Sequence, residues 1–221
     1  MVRTRPQLGA GAPLQVLAAW VLLVGLTLTT AGCVTGPERE SAPADPDRYT
    51  GSWLSEGYPV PDVTLSDTSG GHFDVQTSPS RPVTVMFFGY THCPESCTAV
   101  LDTLHSALDS LPDHLAGKVQ VVVVSVDPDR DSPEALRTWL DRWDGSWIGL
   151  RGGLDEVRDL AGAVGVEVGG RRALPDGGYQ VAHGAQLVGV DRDDTARLVW
   201  VEGTGVADLG RDLETFIKEQ K

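Results

Sequence analysis

Methionine, cysteine, basic residues and long apolar runs are all scarce in this chain of 221 residues. There are two methionines, and Met86 is the only one after the initiator. With no run of histidines either, bulk metal storage on thioether or imidazole clusters is excluded. Lys and Arg total 18 against 31 Asp and Glu, a formal net charge of −13. A domain so poor in cations has little with which to neutralise phosphates, so nucleic acid is excluded as a partner. The longest apolar stretch, Val16 to Leu28, is about 13 residues, short of the roughly 20 that a spanning helix needs. No C-x-x-C pair is present, which argues against the usual thiol oxidoreductase motif. No internal repeat is visible.

What the N-terminus does have is the layout of a secretory signal. Arg3 and Arg5 form a basic start, the apolar run follows, and Thr30-Ala31-Gly32-Cys33 closes it. Ala31-Gly32-Cys33 resembles a bacterial lipobox, in which the cysteine becomes the lipidated first residue, with Thr30 standing where leucine is usual. Residues 1–32 are therefore expected to be a lipoprotein signal peptide and Cys33 the lipidation site; an uncleaved signal anchor is the alternative. Either reading puts the rest of the chain on the extracytoplasmic side of the cell membrane, tethered to it. Residues 1–32 carry two Arg and no Asp or Glu, so their removal moves the net charge from −13 to −15. Residues 33–56 are rich in Pro, Gly, Ser, Asp and Glu and read as a flexible tether, with a reach of roughly 25–30 Å.

Residues 57–221 fit one domain with one core. Val63–Leu65 and His72–Val75 flank a turn-rich segment and read as an N-terminal β-hairpin. The apolar runs Val83–Phe88 and Val119–Val126 suit strands covered on both faces. Helices are expected from about Pro94 to Leu111, from Pro133 with Ser132 as N-cap, over Leu154–Val164 ending at Gly165, and over about Ala207–Lys218. Ile148–Leu150 reads as a short strand, and Ala185–Val190 with Arg197–Val201 as an antiparallel pair. The fold class is α/β, with a central mixed sheet.

The chemistry concentrates in Gly89-Tyr90-Thr91-His92-Cys93-Pro94-Glu95-Ser96-Cys97, directly after a buried strand. With Cys33 assigned to the lipobox, Cys93 and Cys97 are the remaining pair of three cysteines. A disulfide closing so short a loop removes little chain entropy, so a chemical role fits better than a structural one. With a helix starting at Pro94, residues 93 and 97 share one face, and the helix N-terminus favours thiolate over thiol. Thiolate is both a nucleophile and a ligand for soft metals. Two sulfurs do not close a metal site, and His183, in Gln180-Val181-Ala182-His183-Gly184, is the candidate third ligand; an ordinary loop histidine is the other reading. His92 adjoins Cys93 and is expected to point elsewhere. The tryptophans, Trp139, Trp143 and Trp147 among them, suit core and helix faces.

The segment 89–97, the run Val124-Ser125-Val126-Asp127-Pro128-Asp129-Arg130-Asp131-Ser132-Pro133, and His183 ahead of a strand together resemble the SCO/SenC family. The resemblance covers about Val60 to the C-terminus. It implies a thioredoxin-like, three-layer, membrane-tethered copper-binding protein that helps mature the dinuclear copper centre of cytochrome c oxidase. It further implies Cys93, Cys97 and His183 as ligands of one copper ion, Cu(I) or Cu(II), the oxidase subunit as client, and an upstream copper donor. Where the family commonly has Asp-His-Ser, this chain has Ala182-His183-Gly184. Asp127 matches an acidic position supporting the site, or serves as a turn residue before Pro128; Asp129 and Asp131 read as solvated turn residues. The alternative activity is a thiol–disulfide reductase that keeps the oxidase cysteines reduced, with Cys93 attacking, Cys97 resolving, and the two cycling through a redox-active disulfide. A peroxiredoxin-like peroxidase is disfavoured, because Thr91 lies two rather than three positions before Cys93.

Overall fold

Apolar runs without alternation must be covered on both faces, and the chain builds its sheet around two of them. The computed structural model describes residues 48–93, 95–175 and 177–220. The expected signal peptide, Cys33 and most of the expected tether lie outside these residues. In chain order the elements are β1 (Ser52–Pro59), β2 (Thr64–Asp67), β3 (His72–Asp74), β4 (Val83–Gly89), α1 (Glu95–Asp109), α2 (Asp113–Ala116), β5 (Val119–Ser125), α3 (Pro133–Leu140), β6 (Ile148–Arg151), α4 (Leu154–Ala163), β7 (Val168–Ala173), β8 (Tyr179–His183), β9 (Leu187–Val190), β10 (Thr195–Trp200) and α5 (Val206–Glu219).

Eight strands form one mixed sheet in the order β1-β10-β9-β4-β5-β6-β2-β3. Every residue of β4 and β5 is buried. These two strands pair in parallel, as do β5 and β6, with α1 and α3 as the crossover helices. Strand β9 runs antiparallel to β4, and the expected hairpin β2–β3 docks through β2 on β6. Side-chain alternation along β4 and β5 separates two apolar clusters. Val83, Val85 and Phe87 face α1, α3 and α5, whereas Met86 and Phe88 face α4 and Val181 of β8. Helices on one face and α4 with a small hairpin on the other give the three layers of a thioredoxin-like fold.

Ser132 caps α3 as expected, its hydroxyl accepting from the Ala135 N–H at 3.0 Å with Pro133 at the first helical position. Two features differ from the expectation. Strands β7 and β8 form a separate two-stranded sheet between Gly165 and Ala185, where no element was expected. Residues 48–56, expected within the tether, belong to the folded domain. Tyr49 is 7% exposed and stacks on Trp53, and Ser52 and Trp53 pair with Val199 and Leu198 of β10. The cause is Asp212 of α5, whose buried carboxylate accepts from the N–H groups of Thr50 (3.0 Å) and Gly51 (2.8 Å) and from the Trp200 indole (2.9 Å). The polar composition of 48–56 hid this, since the anchors are two aromatic rings and a carboxylate 160 residues away. Burial and the adjacent Glu219, whose carboxylate accepts from the phenol at 2.5 Å, push the Tyr49 hydroxyl far above its ordinary range. Among the described residues no helix is long and apolar enough to cross a membrane.

Replacing Asp212 by Ala leaves three donors without their acceptor. Chemical denaturation is expected to show a loss of about 2–4 kcal/mol, and limited proteolysis new cleavage near Tyr49–Trp53. Asp212→Asn, which keeps one acceptor oxygen, should lose less.

Candidate metal centre

The end of β4 places the cysteine segment. Gly89 closes the strand because there is no room for a side chain: a Cβ there would lie 2.5 Å from the Phe87 ring and 3.4 Å from the Cys97 sulfur. The chain then turns, with the Cys93 N–H donating to the Tyr90 carbonyl at 3.0 Å. Cys97 is the third residue of α1 and fully buried, while Cys93 is half-buried. The two are joined as a disulfide, with Cα atoms 6.0 Å apart. In this form neither sulfur carries the negative charge that metal ligation needs.

The β7–β8 hairpin brings the third group. Alternation along β8 points Tyr179, Val181 and His183 to one face, and that face is turned toward the end of β4. His183 is thus the last residue of a strand rather than a loop residue before one. Its Nε2 lies 3.6 Å from the Cys93 sulfur and 3.5 Å from the Cys97 sulfur. The three donor atoms all fall within 4.8 Å of one another. The ring is held edge-on by Tyr90 and Phe87, at centroid separations of 5.6 and 6.4 Å. Its Nδ1 is 2.9 Å from the Gly184 carbonyl. A carbonyl only accepts, so Nδ1 carries the proton and the lone pair of Nε2 faces the sulfurs. Burial holds the imidazole below its ordinary pKa, opposed by the Gly184 hydrogen bond and by Glu202. A neutral ring with a free lone pair suits a soft transition metal once the sulfurs are reduced.

Two carboxylates on the loop after β5 brace this arrangement, and neither touches a sulfur. Asp131, read from sequence as a solvated turn residue, is fully buried. It accepts from the Thr91 hydroxyl at 2.6 Å, the Thr91 N–H at 3.2 Å and the Ser125 hydroxyl at 2.5 Å, which pins the segment leading into Cys93. That donor set makes burial of the charge tolerable, and it was invisible because its donors lie elsewhere in the chain. Asp129 stays mostly exposed and pairs with Arg171. Asp127, also fully buried, pairs with Arg130 and with Arg171 at 3.4 Å and accepts from the Tyr179 hydroxyl at 2.8 Å. Of the two expected roles, a support of the site and a turn residue, these contacts fit the first, through the strand that carries His183. His92 is exposed and bonds Thr91, away from the sulfurs.

This strand–cysteine–helix arrangement with a histidine brought from a distant hairpin invites comparison with known proteins. A model of the SCO1/SenC family matches residues 59–218. The chain belongs to the SCO1/SenC family. Mitochondrial SCO2 of Saccharomyces cerevisiae is 25% identical over 213 residues, covering 91% of this chain and 69% of that protein. Among solved structures, Bradyrhizobium japonicum ScoI with copper bound is 28% identical with a TM-score of 0.61, covering 72% of this chain and 98% of that one. Apo Sco1 of Thermus thermophilus is 29% identical with a TM-score of 0.65, covering 76% and 96%.

Sequence reasoning about this SCO1/SenC chain missed Tyr90, Ser96, Arg130 and Tyr179 as parts of the site. Ser96 places its hydroxyl 3.8 Å from the Cys93 sulfur. The Tyr90 hydroxyl accepts from the Val181 N–H at 3.2 Å, tying the cysteine segment to the hairpin. The available signal was the β8 alternation Tyr179-x-Val181-x-His183, which marks one inward face.

The buried imidazole has a pH consequence. Its pKa in the folded state is lowered from 6.5, so the unfolded chain takes up the proton first as pH falls. This group's contribution to stability is present above about 6.5 and is lost as the pH falls from there toward the folded-state value. Denaturation of the disulfide form between pH 7 and 5 should show that loss, and His183→Gln should remove it.

Proposed function

We propose that this protein carries one copper ion as cargo, held by the Cys93 and Cys97 sulfurs and His183 Nε2, and passes it to the cytochrome c oxidase subunit that bears the dinuclear copper site. The observation that carries the proposal is the convergence of two sulfurs and a neutral imidazole nitrogen within 4.8 Å. The solved relative with copper bound supports copper as the metal. Thiolate and imidazole suit both copper oxidation states, so capture and release by ligand exchange need no change of ligand type. The disulfide must first open: two electrons and two protons convert it to two thiols, and the start of α1 then favours their ionisation. Lipidation of Cys33 would keep the domain at the extracytoplasmic membrane face, where an upstream donor supplies the copper.

A second reading rests on the disulfide itself. With Cys93 half-buried and Cys97 fully buried, Cys93 is the sulfur an external partner reaches. In its reduced form the Cys93 thiolate would attack a client disulfide, and Cys97 would then displace the reduced client from the mixed disulfide.

Copper titration of the reduced protein decides between them. One equivalent is expected in the wild type, none tightly held in the Cys93→Ser/Cys97→Ser variant, and affinity reduced at least tenfold in His183→Ala. Copper binding unchanged by loss of both cysteines would remove the cargo reading. A Cys97→Ser variant that accumulates a mixed disulfide with the oxidase subunit, together with full oxidase assembly in His183→Ala, would favour the reductase.

A further inference from the structure

His183 rides on a hairpin that takes no part in the eight-stranded sheet. Along β7 and β8 Val181 alone is fully buried, with Val168 and Tyr179 packed part-buried against the same apolar cluster. Apolar packing this sparse leaves polar anchors to set the direction in which His183 faces. At its far end the arm carries a second anchor. The guanidinium groups of Arg130 and Arg171 lie over the Tyr179 ring, 3.7 and 4.6 Å from its centroid, and its hydroxyl donates to Asp127 at 2.8 Å. Both guanidiniums also pair with Asp127, so the phenol closes a packed cluster around one buried carboxylate. Tyr179 and His183 are on the same strand face, four residues and about 13 Å apart at the usual rise of a strand. Between them the Val181 N–H donates to the Tyr90 hydroxyl, and Tyr90 also accepts from Cys93 through its carbonyl. The loop joining the strands contains Gly177 and Gly178, both with positive φ, so the turn adds little stiffness of its own.

We propose that Tyr179 is a positioning residue, latching the β7–β8 arm to Asp127 so that His183 Nε2 is presented to the two sulfurs. The inference rests on the reading of His183 as a copper ligand. The latch works through the arm, since neither Tyr179 nor Asp127 touches a sulfur or the imidazole. Loss of the phenol hydroxyl leaves the thiol pair intact and lets the histidine swing, so it mimics loss of His183 itself. Because the two residues act on one ligand, their substitutions are not additive.

The test compares Tyr179→Phe, His183→Ala and the double variant in the full-length protein. Phenylalanine keeps the ring against the guanidiniums, and circular dichroism checks that the fold persists. Affinity for Cu(I) is measured on reduced protein by competition with a chromophoric Cu(I) chelator. Tyr179→Phe should weaken binding about tenfold, the range for losing a group that orients a ligand, and should have no further effect in the His183→Ala background. Wild-type affinity in Tyr179→Phe, or a full further loss in the double variant, would overturn the proposal. A metal-free readout is independent of copper. In the disulfide form, the His183 ring resonances, shifted by the Tyr90 and Phe87 rings, should move toward those of a free histidine in Tyr179→Phe; unchanged resonances would overturn the latch. Should His183→Ala bind Cu(I) as tightly as wild type, the ligand assignment fails, and the metal-free resonances still decide the latch.

Discussion

Two carboxylates buried on one short loop hold the site together. Asp127 and Asp131 follow the central strand β5, and each reaches a different part of the chain. Asp131 ties down Thr91 and so the approach to Cys93; Asp127 ties down Tyr179 and Arg171 and so the arm that carries His183. Burying an ionised carboxylate is costly unless donors replace water. The cost is offset because each has hydroxyl or guanidinium partners of its own, and those partners are the elements that must be placed. The distance between sulfur and imidazole is therefore governed by a loop that contributes neither. Tyr90 adds the cross-link, bonded to the cysteine segment through its carbonyl and to the arm through its hydroxyl.

The disulfide and the imidazole describe one site in two chemical conditions. While the sulfurs are bonded to each other, the site offers a metal only one good ligand. Reduction would turn the same three atoms into a donor set for a soft metal, with Nδ1 already committed to Gly184 and Nε2 already facing the sulfurs. The two proposed activities, copper carriage and thiol exchange, would therefore share Cys93 and Cys97, and His183 would separate them. Under the proposed copper site metal retention would need the imidazole, whereas exchange through Cys93 and Cys97 would not.

Much of this was legible in the chain, for physical reasons. Val83–Phe88 and Val119–Val126 can only be strands covered on both faces, and Ser132-Pro133 starts a helix because the cap and the proline agree. Cys93 and Cys97 stood out because a strand leads directly into a helix N-terminus there. The sequence hid whatever depended on distant partners. Asp131 and Asp129 look alike in a turn, yet one has Thr91 and Ser125 to receive it and the other faces solvent. Residues 48–56 look like tether, but Tyr49 and Trp53 find a core and Asp212 finds their backbone. His183 looked like a loop residue because Gly177, Gly178 and Gly184 surround a strand of five residues.

X-ray absorption at the copper edge of the reduced, copper-loaded full-length protein tests the three-ligand site most directly. The expected spectrum has two sulfur scatterers and one imidazole nitrogen, the nitrogen absent in His183→Ala. A wild-type spectrum with no sulfur scatterers, or one with the same imidazole contribution after His183→Ala, would contradict it.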